Sequence, residues 1–209
     1  MHTTVSSRRL AALLVLSTLS ACATTESTQL LDPRADRSGY GMGLDARDFT
    51  SAAQQSVQKM LASGALDHPG GGRYVVAISR ITNDTMQRID TDELIKKIRV
   101  EILNSGKAVV TTAVSAVRGG DAEDDMTMRV RQLRSSQEFS HANLAGRGEM
   151  VAPDLSLSGK LIQHNNAVTG GQRVDYSFQL ALTDLHSGLA IWEDDEPTAK
   201  LGTNRTVAW

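Results

Sequence analysis

Twenty-four carboxylates, five histidines and a single cysteine are the groups in this 209-residue chain best suited to chemistry, and their spacing assembles almost none of it. His68, His141, His164 and His186 stand apart from one another and from the cysteine. None makes the i, i+4 pair that sets two imidazoles on one helical face to grip a metal ion, so no metal and no cofactor is expected. Asn104-Ser105-Gly106-Lys107 has letters in common with a phosphate-binding loop. That loop must lead into a helix, whose N-terminal amides meet the phosphate, whereas this run follows a helical pattern and reads as its C-cap. Glu193-Asp194-Asp195-Glu196 offers carboxylates for a hard cation, yet on an alternating edge strand such a run reads as a solvated margin that resists aggregation. No serine is expected to act as a nucleophile through a Gly-x-Ser-x-Gly turn or a Ser-x-x-Lys motif, and the chain is not expected to be an enzyme.

The cysteine is different. Arg8-Arg9 and then an apolar run over residues 10–19 give the basic-then-apolar order of an export signal, without the remaining letters of a twin-arginine signal. Ten helical residues reach about 15 Å, half the hydrocarbon core of a bilayer, so the run is too short to span one. Leu19-Ser20-Ala21-Cys22 resembles the lipobox read by the lipoprotein signal peptidase, and Cys22 is therefore the expected lipidation site. It is also the only cysteine, which excludes an internal disulfide. The expected organisation is a signal peptide over residues 1–21, a lipidated N-terminus and flexible tether over 22–45, and one globular domain over 46–209.

Cleavage removes Arg8 and Arg9 from the 22 basic residues and none of the 24 acidic ones, leaving a net charge of −4. Nucleic acid is excluded as a partner, since neither a basic field nor a stacking platform of aromatics is present. Residues 23–45 are too poor in apolar side chains to order themselves, and stretched out they would reach roughly 80 Å. Tyr176 and Phe178 share the apolar face of a strand pattern, leaving Trp192 and Trp209 as candidates for a glycan platform.

The elements follow from periodicity. A helix over 48–63 with Asp48 as N-cap buries Phe49, Ala53, Val57, Met60 and Leu61. A strand over 74–79, a helix launched by Asp90 and closed by Gly106, and a strand over 108–112 form a parallel unit. A third helix over 121–137 turns Met126, Val130 and Leu133 inward and Arg129, Arg131 and Arg134 outward. Alternation over 155–161 and 174–182 makes a hairpin, and a turn at 185–188 adds a strand over 189–193. The fold class is α+β: a mixed sheet of about five strands with helices mainly on one face.

Several stretches resemble the LpoB family of outer-membrane lipoprotein activators. They are Tyr40-Gly41-Met42-Gly43-Leu44-Asp45, Ile81-Thr82-Asn83-Asp84-Thr85 followed by Ile89-Asp90-Thr91-Asp92, Ile98-Arg99 through Ser105-Gly106-Lys107, Leu157-Ser158-Gly159-Lys160-Leu161, and the run from Tyr176 through Leu185, with Ser187-Gly188 and Ile191-Trp192. The resemblance implies a domain related to the N-terminal domain of TolB, lipid-anchored in the outer membrane and facing the periplasm. It implies a monomer without catalysis, which activates a class A penicillin-binding protein, a bifunctional peptidoglycan synthase, by docking on it. Ala23 fits outer-membrane sorting, because the aspartate that retains enteric lipoproteins in the inner membrane is missing. The tether is shorter and less proline-rich than in enteric members, and residues 114–125 have no clear counterpart in the family. The alternative is a ring-forming lipoprotein subunit of a curli-type secretion pore, for which only the 155–185 hairpin is long enough to cross a membrane.

The expected docking surface starts from the segment 82–88, which leaves the carboxyl end of a parallel strand, where open sheets present working loops. The candidate partner-binding residues are Thr82, Asn83, Thr85 and Arg88, joined by Arg131 and Arg134 on the third helix. Asn83 and Asp84 also suit a turn.

Overall fold

The computed structural model describes residues 42–114 and 122–203. The export segment, Cys22, the tether up to residue 41, segment 115–121 and Trp209 lie outside the described residues.

Helix α1 (Ala46–Ala62) begins two residues before the expected start, because Asp45 rather than Asp48 is its cap. The Asp45 carboxylate accepts from the backbone N–H groups of Arg47 (2.8 Å) and Asp48 (3.1 Å). Asp48 completes a capping box by accepting the Asp45 N–H at 2.9 Å. Strand β1 (Tyr74–Asp84) leads into α2 (Thr91–Ser105), where Asp90 caps the start as expected and Gly106 ends it with φ of +70°, a conformation that favours glycine. Strand β2 (Ala108–Val110), helix α3 (Ala122–Gln132) and two short 3₁₀ turns lead to three 14-residue strands. These are β3 (Leu155–Val168), β4 (Gly171–Asp184) and β5 (Ala190–Thr203).

The sheet order is β2-β1-β3-β4-β5. Strand β1 runs parallel to both neighbours, and β3, β4 and β5 form an antiparallel meander. The mixed five-stranded α+β sheet is therefore as its sequence pattern predicts. Helices α1 and α2 pack on each other and on one face: α1 against β4 and β5, α2 against β1 and β2. Their buried stripes (Val57 and Met60; Leu94, Ile98 and Ile102) meet Val76, Leu157, Leu161, Phe178 and Leu182 from the sheet in one core. The hairpin is longer than expected, with the chain reversing at Thr169-Gly170, and its alternate residues from Val174 to Leu182 are buried in the domain. A lipid-facing hairpin of a pore would need those side chains outside.

Expectations for the strands and for α3 are corrected as well. Strand β1 continues to Asp84, so Thr82, Asn83 and Asp84 belong to the strand and the loop starts at Thr85. A bulge makes this possible: Ile78 pairs with Leu157 and Ile81 with Gly159, so Ser79 and Arg80 stand opposite Ser158 alone. Strand β5 runs far past residue 193, with Pro197 tolerated because it lies on an edge strand. The acidic run on β5 is not uniformly solvated: Glu193 and Asp195 face solvent, whereas Asp194 and Glu196 both meet Lys59 of α1, Asp194 at 3.2 Å. Finally, Met126 and Val130, expected inward, are 54% and 40% exposed, and α3 packs chiefly on the turn that follows it. The α3 residue that borders the apolar groove of Val75, Val109 and Val110 on the sheet is Thr127.

Residues 42–45, read from composition as tether, are packed on the domain. Met42 is 7% exposed and forms a small second core with Val174, Tyr176 and Leu44.

Candidate functional site

The face of the sheet opposite α1 and α2 carries a polar pattern across four strands. Opposed residues on paired strands share a face. One row is therefore Thr82, Lys160, Gln179 and Asp195, and the adjoining positions are Ser158, Ala181 and Glu193. All of these except Thr82 line a shallow trough over β3, β4 and β5. Its side chains are small or polar, and several polar side chains on the same face pair with one another. Lys160 pairs with Asp84 at 2.7 Å, Arg173 with Asp175 at 2.7 Å, and the hydroxyls of Ser79 and Ser156 lie 2.8 Å apart. The Lys160 ammonium beside Asp84 holds its carboxyl below the usual carboxylate range, and the hydrogen bond from Arg173 does the same for Asp175.

Among the expected contact residues, Thr82 and Arg88 are exposed. Asn83 and Thr85 instead shape the loop. The Asn83 amide donates to the Gln87 carbonyl at 2.7 Å, and the Thr85 hydroxyl donates to the Asn83 side-chain oxygen at 2.7 Å. The two arginines are engaged elsewhere. Arg134 donates to the carbonyls of Ala145 (2.7 Å) and Gly146 (2.8 Å), closing the segment that follows α3, and Arg131 reaches the Thr127 carbonyl at 3.5 Å. Thr127 borders a groove with Val75, Val109 and Val151 near the start of β1. Thr82 lies seven residues further along that strand, about 20 Å away, so the candidates fall into two separate places.

No group of three or more potential metal ligands occurs among the described residues. Each histidine in the domain has a local setting; His68, for example, stacks edge-on against Tyr74 at 4.7 Å. Trp192 is half-buried against the core and offers no open platform. The four residues Ser56-Val57-Gln58-Lys59 spell Ser-x-x-Lys, which qualifies the expectation that no serine sits in a nucleophile motif. The structure gives them another role. Ser56 is fully buried and donates to Asp194 at 2.8 Å, and the hydrogen bonds that the Lys59 ammonium donates to Glu196 and Asp194 raise it above its ordinary pKa, the opposite of what a general base needs. Among the described residues no helix is long and apolar enough to cross a membrane.

Fold and surface together define a small α+β module, closed by helices on one sheet face and polar on the other. The sequence profile of the family described as peptidoglycan-synthase activator LpoB matches residues 48–198, and the chain belongs to that family. The solved C-terminal domain of LpoB from Escherichia coli shares 16% identity, with 73% of this chain and 99% of that one covered at a TM-score of 0.39. For the Salmonella enterica domain the figures are 17%, 72%, 98% and 0.41. The solution structure of E. coli LpoB gives 15%, 88%, 87% and 0.39. No curated protein matches the chain at a significant level.

Proposed function

We propose that this chain is an outer-membrane lipoprotein, anchored through Cys22 with its domain in the periplasm. There it activates a bifunctional class A penicillin-binding protein as a monomer, by docking and without chemistry of its own. The family's description supports the activating role. The observation that carries the docking mode is the open sheet face: four strands of small and polar side chains with no helix of the α1–α2 layer over them, ending at the exposed Thr82 and Arg88. In this reading Thr82 and Arg88 touch the partner directly. Asn83 and Thr85 hold the loop for it, and Arg131 and Arg134 stabilise a separate segment whose contact with the partner is secondary.

The test uses the mature chain with Cys22→Ser, titrated against the periplasmic region of the class A synthase while glycan polymerisation is followed. Binding should saturate at one to one and raise polymerisation. Ser158→Arg, which sets a long cation in the trough, should weaken binding at least tenfold, about 1.4 kcal/mol, with the melting temperature unchanged. Absence of wild-type binding overturns the partner, and wild-type affinity in Ser158→Arg moves the docking surface off the open face. Mass spectrometry of the native protein should find acyl chains on Cys22; their absence overturns the anchor.

A further inference from the structure

Three consecutive backbone carbonyls just before α1 are each received by a side chain from a different part of the domain. The Tyr176 hydroxyl of β4 donates to the Met42 carbonyl at 3.2 Å. The Lys200 ammonium of β5 donates to the Gly43 carbonyl at 2.7 Å and also pairs with Asp48. The Gln87 amide reaches the Leu44 carbonyl at 3.5 Å, while its oxygen accepts the Leu44 N–H at 2.7 Å, so one side chain reads both backbone groups of one residue as a neighbouring strand would. Met42 and Leu44 pack beside Val174 and Tyr176. This is a built seat for an extended segment.

One of its three holders sits in the loop after β1. The Gln87 carbonyl accepts from both Asn83 (2.7 Å) and Thr85 (3.2 Å), the Gln87 N–H donates to the Thr85 hydroxyl (3.2 Å), and the Met86 N–H donates to Gln163 of β3 at 3.1 Å. Gln87 thus faces two ways: its side chain grips the segment, and its backbone closes the loop.

We propose that residues 42–45 form a releasable strap. Docked, it orders the loop through Gln87 and fixes the chain's exit at that end of the sheet. Undocked, it adds four residues, about 14 Å of reach, to whatever precedes it and loosens the loop. Only its consequence for an anchored protein rests on the lipoprotein reading; the seat and the coupling do not. Coupling between two sites is reciprocal, so loosening either must loosen the other by the same factor.

Amide hydrogen exchange on the mature Cys22→Ser chain tests this without any partner. A strap variant, Met42→Ser with Leu44→Ser, should speed exchange at Met86 and Gln87 about tenfold, although neither substituted residue lies in the loop. The loop variant Gln87→Ala should speed exchange at Leu44 and Asp45 by a similar factor. Leu157 amide exchange at the wild-type rate in both variants shows that the core is intact. Should the double variant unfold, Tyr176→Phe removes a single hydroxyl and should give the same pattern at smaller amplitude. Loop amides that keep their wild-type rates while the strap opens overturn the coupling, and a Leu44 amide unaffected by Gln87→Ala overturns the seat.

Discussion

The two faces of the sheet are built from the same strands, with alternate residues pointing each way, yet they are different materials. On the helix side, Phe178, Leu180 and Leu182 of β4 are at most 2% exposed and interlock with α1 and α2. On the open side, their neighbours Ser177, Gln179 and Ala181 are half-exposed, and the polar groups there pair across strands, as Ser177 does with Asp195. The first face holds the fold through burial and admits charge only where a partner meets it, as Lys59 meets Asp194 and Glu196 at the β5 margin. The second contributes little to stability and is free to be shaped for a partner. A domain whose stability resides on one side of a single sheet can change its recognition surface on the other without refolding.

The sharpest way to break this contrast is to place a charge on the covered side. Ile98 is 1% exposed where α2 meets the sheet, so Ile98→Asp buries an uncompensated carboxylate. The expected cost is about 4 kcal/mol or more, a large share of a small domain's stability. Circular dichroism should show an unfolded or nearly unfolded chain; an unchanged melting temperature would place that helical face elsewhere.

A smaller effect is expected at Gly159, which points toward the covered side beside the β1 bulge. A Cβ there would lie 2.9 Å from the Gln179 carbonyl oxygen and 2.9 Å from a Leu180 methyl. The backbone cannot yield as a flexible side chain would, so Gly159→Ala should cost about 1–3 kcal/mol, read from the urea midpoint at unchanged slope. Ser158→Ala, one residue away on the open face, should leave that midpoint in place. Equal costs at the two positions would dissolve the distinction between the faces.

Most of the covered side was legible in sequence because burial writes a period: the stripes of α1 and α2, the cap at Asp90 and the alternation of β4 all follow from which residues must leave water. What escaped has physical reasons. Asn83 and Asp84 are turn formers by local preference, and only pairing with Leu161 and Ile162 of β3 keeps them in a strand. Charges facing inward on β5 hid its length, since Asp194 and Glu196 are neutralised by a lysine 135 or more residues away in sequence. The same holds for the strap: Met42 and Leu44 look isolated among polar neighbours, and their partners Gln87, Tyr176 and Lys200 are all distant in sequence. Of the candidate site, Thr82 and Arg88 are exposed, Thr82 within a strand rather than in the loop expected, while the engagement of Arg134 with two carbonyls depends on a loop conformation that no periodicity encodes.

The smallest expected effect separates the carboxylates of the two sides by their response to acid. At Asp45, burial alone would raise the carboxyl, but the Arg47 side chain and the N–H groups of Asp48 and Arg47 outweigh it and hold the group below its ordinary value. A carboxyl lowered in the folded state contributes stability that is fully present above its unfolded pKa, about 3.9, and is lost as pH falls through the folded value. Asp45→Ala should therefore cost about 1 kcal/mol at neutral pH, the worth of a helix cap, and nothing once acid has protonated the wild-type group. Asp84 on the open face is also lowered, through the hydrogen bond from Lys160, but it is fully solvated, and holding two flexible side chains together offsets most of that attraction. Lys160→Met should consequently leave both the neutral-pH midpoint and the acid limb of the unfolding curve where they are. Urea midpoints measured from neutral pH down through the carboxylate range for the wild type and both variants decide the matter. An acid limb that moves with Lys160→Met and stays put with Asp45→Ala would mean that the open face carries stability after all.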